Sequence, residues 1–275
     1  MWLQNLVTLA LFTCTVTALS AEDFEFSLQY FTNRQVKYVC LLQCEHIFTS
    51  RDFILKASKH AIGVSSVRID QDLSQENDDF GRLRKCLRQQ YTPIGILINS
   101  KCSGFDRAIT YASENKMLDD SHKWLIMTER ENKIFNSTKT TIKDVFMMLN
   151  KLDISVDSDI TYAVKKGRGT YRLSEVYNLG KTQGRDLIIN NAGMWDSSKG
   201  FQTNLNEYKY YRRWNFHQWR MRVINVVSPA PLNFDPRWLT DLNPTPGVAT
   251  ITKTAITILT VIAEIHNIKY VILLC

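Results

Sequence analysis

The strongest constraint on this chain is a regular alternation of strand-like and helix-like stretches between residues 36 and 152. "VKYVCLLQC" (36–44) is an apolar, β-rich run suited to a buried strand. "SRDFILKASKHAIG" (50–63) opens on a Ser N-cap candidate and is expected to stop at Gly63. "VSSVRI" (64–69) reads as a second strand. "DDFGRLRKCLRQQY" (78–91) puts Phe80, Leu83 and Leu87 on one helical face ahead of Pro93. "PIGILINSKC" (93–102) is a third strand, "DRAITYASENKML" (106–118) a third helix and "KWLIMT" (123–128) a fourth strand. "STKTTIKDVFMMLNKL" (137–152) is a fourth helix, capped by Ser137 or Thr138. Strands alternating with helices of this length predict an α/β fold with a doubly wound, mostly parallel sheet and helices on both faces. Three β-rich stretches, at 159–167, 170–178 and 185–195, read as strands completing this domain. Gly193, Trp195 and Gly200 are expected to mark a loop.

The amino terminus sets the compartment. "MWLQNLVTLALFTCTVTALSAEDF" has an uncharged apolar core from Leu6 to Val16, too short to span a bilayer. Ala18 and Ser20 are small residues at the two positions a signal peptidase reads. Residues 1–20 are therefore expected to be a cleaved signal peptide, although the n-region lacks Lys and Arg. The Asn136-Ser137-Thr138 sequon agrees with export, whereas Asn243-Pro244-Thr245 is blocked by its proline.

Export changes the reading of the cysteines, because disulfides persist outside the cytosol. Cys44 and Cys102 each lie just past the carboxyl end of the first and third strands, which are neighbours in a doubly wound order. A Cys44–Cys102 bridge is expected, worth on the order of 2–4 kcal/mol. Cys40 and Cys86 either pair or remain buried thiols. Their spacing is not that of a zinc site.

Near Tyr208 the composition shifts. The stretch "NEYKYYRRWNFHQWRMRVINVVSPAP" (206–231) interleaves aromatic with basic residues, a pattern that holds single-stranded nucleic acid in some proteins. Export makes a nucleic-acid partner unsuited, and the stretch reads as a domain junction with packed aromatics and solvated arginines. The formal net charge of +7 is spread along the chain and is at most a weak hint of an anionic partner. Beyond the junction, "RMRVINVV" (220–227) reads as a strand. Pro229, Pro231, Pro236, Pro244 and Pro246 stiffen a loop. A helix follows over 250–267, with Ile251, Ala255, Ile258, Ile262 and Ile265 as its apolar stripe. "KYVILLC" begins another strand. Glu264, His266, Asn267 and Lys269 interrupt the apolar run that ends the chain, which argues against a membrane span. The expected organisation is an amino-terminal α/β domain over 21–205 and an incomplete second domain over 206–275.

No enzyme signature is present: no nucleophile elbow, phosphate-binding loop, zinc-protease motif or dinucleotide fingerprint. "GRGTYR" lies between strands with no helix to cradle a phosphate. The five histidines (His46, His60, His122, His217, His266) are scattered. Asp70, Asp72, Glu76, Asp78 and Asp79 fit no calcium-loop spacing and read as a solvated loop with a helix N-cap. No catalytic residue, metal or cofactor is expected. An α/β enzyme of the exocytic pathway would need a carboxylate pair or metal motif at its strand ends.

Arg213, Asn215, Phe216, Met221, Arg222 and Val223 follow the pattern R-x-N-[LF]-x-G-x-x-[LM]-x-V, with Gln218 in place of its glycine. This pattern resembles the opening of the ligand-binding domain of insect chemosensory ionotropic receptors, variant relatives of the ionotropic glutamate receptors. "VVSPAPLNFDPRWL" and "ATITKTAITILTVIAEIHNIKYVI" resemble that domain's first strand and loop, first helix and second strand. Upstream, "KWLIMTE", "TYRLSEVYNLG" and "GMWDSSKGF" are similar to the amino-terminal region of the antennal 75-series subfamily. The resemblance implies a periplasmic-binding-protein-like amino-terminal domain, followed by the first lobe of a clam-shell ligand-binding domain. It implies ligand-gated cation conduction in olfactory neurons, a small carboxylic acid or amine as ligand, and co-receptor subunits in a hetero-oligomer.

The family's ligand-anchoring arginine, membrane helices, pore and second lobe would lie beyond Cys275. No ligand-binding residue is therefore assigned, and Arg220 and Arg222 read as structural. A partial gene model, truncated transcript or pseudogene product is expected. The product enters the secretory pathway. It is held at the cell membrane through the missing carboxyl-terminal part if full-length, and is extracellular or retained if truncated. A secreted small-ligand-binding module or decoy is the alternative.

Overall fold

The stretch at 36–44 forms the strand β1 (Tyr38–Gln43), whose four central residues are buried. A strand covered on both faces must be apolar on both, which is why the run is continuous and does not alternate. The computed structural model describes residues 21–44, 50–69, 79–88, 92–128, 142–225, 227, 232–241 and 243–274. These fall into two compact units that divide between Asn206 and Glu207.

In the first unit, α1 (Ala21–Asn33) precedes β1. Then come α2 (Ser50–Lys59), β2 (Gly63–Arg68), α3 (Asp79–Leu87), β3 (Ile94–Asn99), α4 (Phe105–Glu114), β4 (His122–Thr128), α5 (Ile142–Leu149) and β5 (Asp159–Gly167). Three antiparallel strands close the unit: β6 (Thr170–Tyr177), β7 (Ile188–Asp196) and β8 (Gly200–Thr203). The sheet has eight strands in the order β2-β1-β3-β4-β5-β6-β7-β8, parallel as far as β5. One apolar layer packs α3, α4 and α5 against Cys40, Leu42, Ile96, Ile98, Trp124 and Ile126. The other packs α1 and α2 against Val39, Leu41, Leu97, Leu125 and Met127. Alternate residues of one strand feed opposite layers, as the pleat requires.

Several expectations from the sequence are corrected. The segment 21–33, to which no element was assigned, is a helix with Phe24, Phe26, Leu28, Tyr30 and Phe31 buried. The helix expected over 50–63, α2, stops at Lys59 and not at Gly63, which instead opens β2. The reversal falls on Ala61, with a left-handed φ of 54°, and the N–H of Ile62 donates back to the Ala57 carbonyl at 3.1 Å. The third expected helix, α4, ends at Glu114, four residues short of Leu118, with Lys116 as the left-handed residue. The expected loop at Gly193, Trp195 and Gly200 is strand. Gly193 and Trp195 lie in β7, and Gly200 starts β8. A bulge explains it: the β6–β7 register shifts between Leu173 and Ser174, and Gly193 absorbs it with φ 115°. A Cβ on Gly193 would sit 2.1 Å from the Gln202 carbonyl oxygen. The cap residues Ser137 and Thr138, and Asp70 through Asp78, lie outside the described residues.

The second unit contains α6 (Lys209–Arg212), β9 (Trp219–Asn225), α7 (Thr250–Ile265) and β10 (Ile268–Leu274). β9 and β10 are parallel neighbours, Trp219 opposite Ile268 and Asn225 opposite Leu274. A 3₁₀ turn at Pro236–Leu239 is capped by Asp235, whose side chain accepts the Arg237 N–H. α7 turns a different face inward than expected. Ile256 and Ala263 are buried and Leu259 packs beside them, whereas Ile251, Ala255, Ile258, Ile262 and Ile265 are exposed. The inward face is rotated by roughly 120° from that stripe. The helix is apolar over most of its circumference, so periodicity alone did not identify the packed side.

Candidate functional site

In an open parallel sheet, ligand crevices form where two neighbouring strands send their connections to opposite sides. Here β1 leads outward to β2, and the chain then returns past β1 to β3, so that place is the carboxyl edge between β1 and β3. A disulfide spans it. Cys44 follows β1, Cys102 follows β3, and the two are joined with their Cα atoms 5.7 Å apart. A second disulfide joins Cys40 of β1 to Cys86 of α3, at a Cα separation of 5.5 Å. Both residues face the same apolar layer, but so do Cys44 and Cys102, and it is the approach of α3 to β1 that pairs Cys86 with Cys40.

Two further features fill this edge. Asn99 is buried, and its Oδ1 accepts the Lys101 N–H at 2.9 Å. The N-cap of α4 is Gly104, where a Cβ would lie 1.8 Å from the Ile69 carbonyl oxygen, so α4 begins in direct contact with the end of β2. One acceptor is left over: Gln43 Oε1 is buried without a hydrogen-bond partner. Among the described residues, then, the crevice between β1 and β3 is stapled and packed.

Buried charge in this unit anchors α1. At its amino end Asp23 accepts from Lys165 Nζ at 2.5 Å and from Tyr171 Oη at 2.6 Å. At its carboxyl end Arg34 pairs with Asp159, which also accepts from Lys123 at 2.8 Å. Between them Tyr30 donates to Thr161 Oγ1 at 2.9 Å, and burial pushes the Tyr30 phenol up to about 12. Burying a charge is tolerated only when it is paired, and each of these ions is paired across to the sheet. The arrangement clamps a helix; it offers no nucleophile beside a base.

One histidine–carboxylate pair resembles part of a catalytic relay. His122 Nδ1 lies 2.6 Å from Asp119 Oδ1. Burial alone would raise the Asp119 carboxyl, but the hydrogen bonds it accepts from His122 and from the Ser121 N–H hold it below its ordinary value. The other ring nitrogen, Nε2, is 3.0 Å from the Leu87 carbonyl oxygen. With both nitrogens engaged, the ring ties β4 to the end of α3 and has no free base to offer. Among the described residues no cluster of His, Cys, Asp and Glu is arranged to hold a metal. Asn136 and His46 lie outside the described residues.

The fold and this edge define a disulfide-stapled α/β domain followed in the chain by a second, smaller α/β unit. Sequence comparison gives the family: the family described as "Ionotropic receptor 75a N-terminal" matches residues 20–226, most of the chain. The chain belongs to that family and is an insect chemosensory ionotropic receptor of the 75 series. The family is one of receptors and not of enzymes. No curated protein matches the chain. The matched region crosses the division at Asn206 and takes in β9.

Proposed function

We propose that the chain is the extracellular part of a ligand-gated, cation-conducting olfactory receptor. The first unit is its amino-terminal domain, and the second opens its ligand-binding domain. One observation carries this reading: β9, α7 and β10 form a βαβ unit with its two strands parallel, separate from the first sheet. Such a unit is how an α/β lobe begins, because parallel strands need a helical crossover. The ligand is a small carboxylic acid or amine, and a co-receptor subunit completes the assembly. Ligand closes two lobes, and closure pulls on the pore. The stapled crevice of the first unit supports placing recognition outside that unit. The chain is exported, with cleavage after Ser20 and a glycan on Asn136.

The test is current recording from cells that express the complete transcript with a co-receptor subunit. Cation current evoked by a small acid or amine is the expected result. Silence across panels of both, with surface expression verified, would overturn the reading.

A further inference from the structure

The layer of α3, α4 and α5 ends at α5. Beyond it Val176 of β6 is still fully buried in that layer, whereas Ile189, which stands opposite it on β7, is exposed. A groove of about 580 Å³ runs between α5 and the start of β7. Phe146, Leu187 and Ile189 line it, and Met147 forms its wall. Met147 is 51% exposed and Ile189 40%. The floor is fixed: Phe146 packs on Tyr162 with ring centroids 5.0 Å apart, and Asn150 Oδ1 accepts the Leu187 N–H at 3.0 Å.

The rim of the groove is polar at both ends and opposite in sign. Lys143 lies in the first turn of α5, and Asp186 lies beside its last turn, next to the Leu187–Asn150 hydrogen bond. Both are exposed, and neither makes a salt bridge among the described residues. An apolar middle with a cation at one end and an anion at the other is self-complementary under a two-fold axis, where residue i meets j and j meets i.

We propose that this groove pairs with a second copy of the chain, the two α5 helices lying antiparallel with Met147 near the axis. Lys143 of each copy faces Asp186 of the other. The seven steps from Lys143 to Asn150 rise by ~10 Å. Antiparallel helices pack at about 8–10 Å, which brings each ammonium within reach of the opposite carboxylate. The apolar middle supplies the attraction, and the two ion pairs set the direction.

The test uses sedimentation of the exported chain with its disulfides intact. The parent dimerises, whereas Lys143→Glu and Asp186→Lys are each weakened about tenfold or more, because like charges then meet twice. An equimolar mixture of these two variants dimerises again, since each introduced charge faces its opposite and the native pair survives at the other end. Met147→Glu abolishes pairing in every combination. A parent that stays monomeric at ~100 μM, where weak interfaces already associate, overturns the proposal. So does a mixture that stays monomeric, or a chain that pairs only with a different receptor subunit.

Discussion

The backbone N–H of Gln218 donates to the carbonyl oxygen of Asn267 at 2.7 Å, and both residues hold left-handed backbone, φ 59° and 53°. Gln218 occupies the position where the family pattern has glycine, and the conformation there is one that glycine adopts freely. The glutamine side chain donates to Asn267 Oδ1, and Asn215 Oδ1 accepts both the His217 N–H at 2.8 Å and Asn267 Nδ2 at 2.9 Å. Asn215 of the motif thus ties the turn before β9 to the end of α7. Gln218→Gly relieves about 1 kcal/mol of backbone strain and loses an exposed hydrogen bond, so the two effects nearly cancel. Gln218→Val loses the bond and puts a β-branched residue where φ is positive, a cost of about 2 kcal/mol. Resistance of the second unit to proteolysis is the readout. Equal behaviour of the two variants would contradict the assignment of the strain.

Ala61 and Lys116 make the same point in the first unit. Each is exposed and follows a helix with positive φ, 54° and 58°, in a bonding pattern that glycine usually fills. Ala61→Gly and Lys116→Gly should each raise stability by about 0.5–1 kcal/mol, and their effects should add because the sites share no partner. Gly104→Ala should have the opposite effect, costing more than about 2 kcal/mol, since the added carbon meets the Ile69 carbonyl. Denaturant midpoints of the three variants measure this directly.

These positions also show what the sequence could and could not reveal. β1, β3 and β4 were readable because strands buried on both faces are continuously apolar. The Cys44–Cys102 neighbourhood was readable because strand order places those ends together. α1 was not: Phe24, Phe26, Leu28 and Tyr30 alternate with Glu25, Ser27 and Gln29, which imitates the period of a strand. Glu22, Glu25, Gln29 and Thr32 do form a polar face at helical spacing, but buried Asp23 and Ser27 interrupt the apolar one. The end of α2 was misplaced for a related reason. Glycine is the residue that announces a helix stop, and here alanine takes the left-handed turn while Gly63 enters β2 under the Tyr38 ring.

The two disulfides close chain loops of 46 and 58 residues. On the loop-entropy account each contributes about 4 kcal/mol as an upper figure, less any native strain. Non-reducing peptide mapping should recover Cys40–Cys86 and Cys44–Cys102. Replacing Cys44 and Cys102 together by serine should lower stability by about 2–4 kcal/mol. Recovery of a Cys40–Cys44 or Cys86–Cys102 peptide would refute the pairing.

Tyr30 gives the first unit an alkaline limit. Burial raises its phenol from 10.0 to about 12 in the folded chain. A group whose folded value is raised contributes fully below the unfolded value and loses that contribution as pH rises through the folded one. The window therefore lies between pH 10 and 12, and the loss across it is about 2–3 kcal/mol. Tyr30→Phe removes that slope, and at neutral pH costs about 1–2 kcal/mol because Thr161 Oγ1 loses its donor. Urea unfolding of parent and variant at several alkaline pH values separates the two effects. Parallel curves through the window would show that another group sets the limit.

The second unit should not fold by itself. Its buried apolar cluster among the described residues is Val227, Leu239, Val248 and Ile256, with Phe234, Trp238 and Leu259 against it. Outside that cluster Ile251, Ile258, Val261, Ile262 and Ile265 line an exposed side of α7, and Ile224 and Val271 are exposed on the two strands. Each fully buried aliphatic side chain is worth about 1.5–3 kcal/mol. Ordering one residue costs about 1–2 kcal/mol of backbone entropy. Among the described residues five buried apolar side chains, these four and Ala263, cannot offset that loss over a segment of this length, and a two-stranded sheet adds little. Residues 207–275 expressed alone should unfold without a cooperative transition and bind a hydrophobic dye. A sharp calorimetric peak would mean that α7 finds cover within this segment. Charged replacements at Ile258 and Ile262 would then destabilise it, whereas on an open face they improve its solubility.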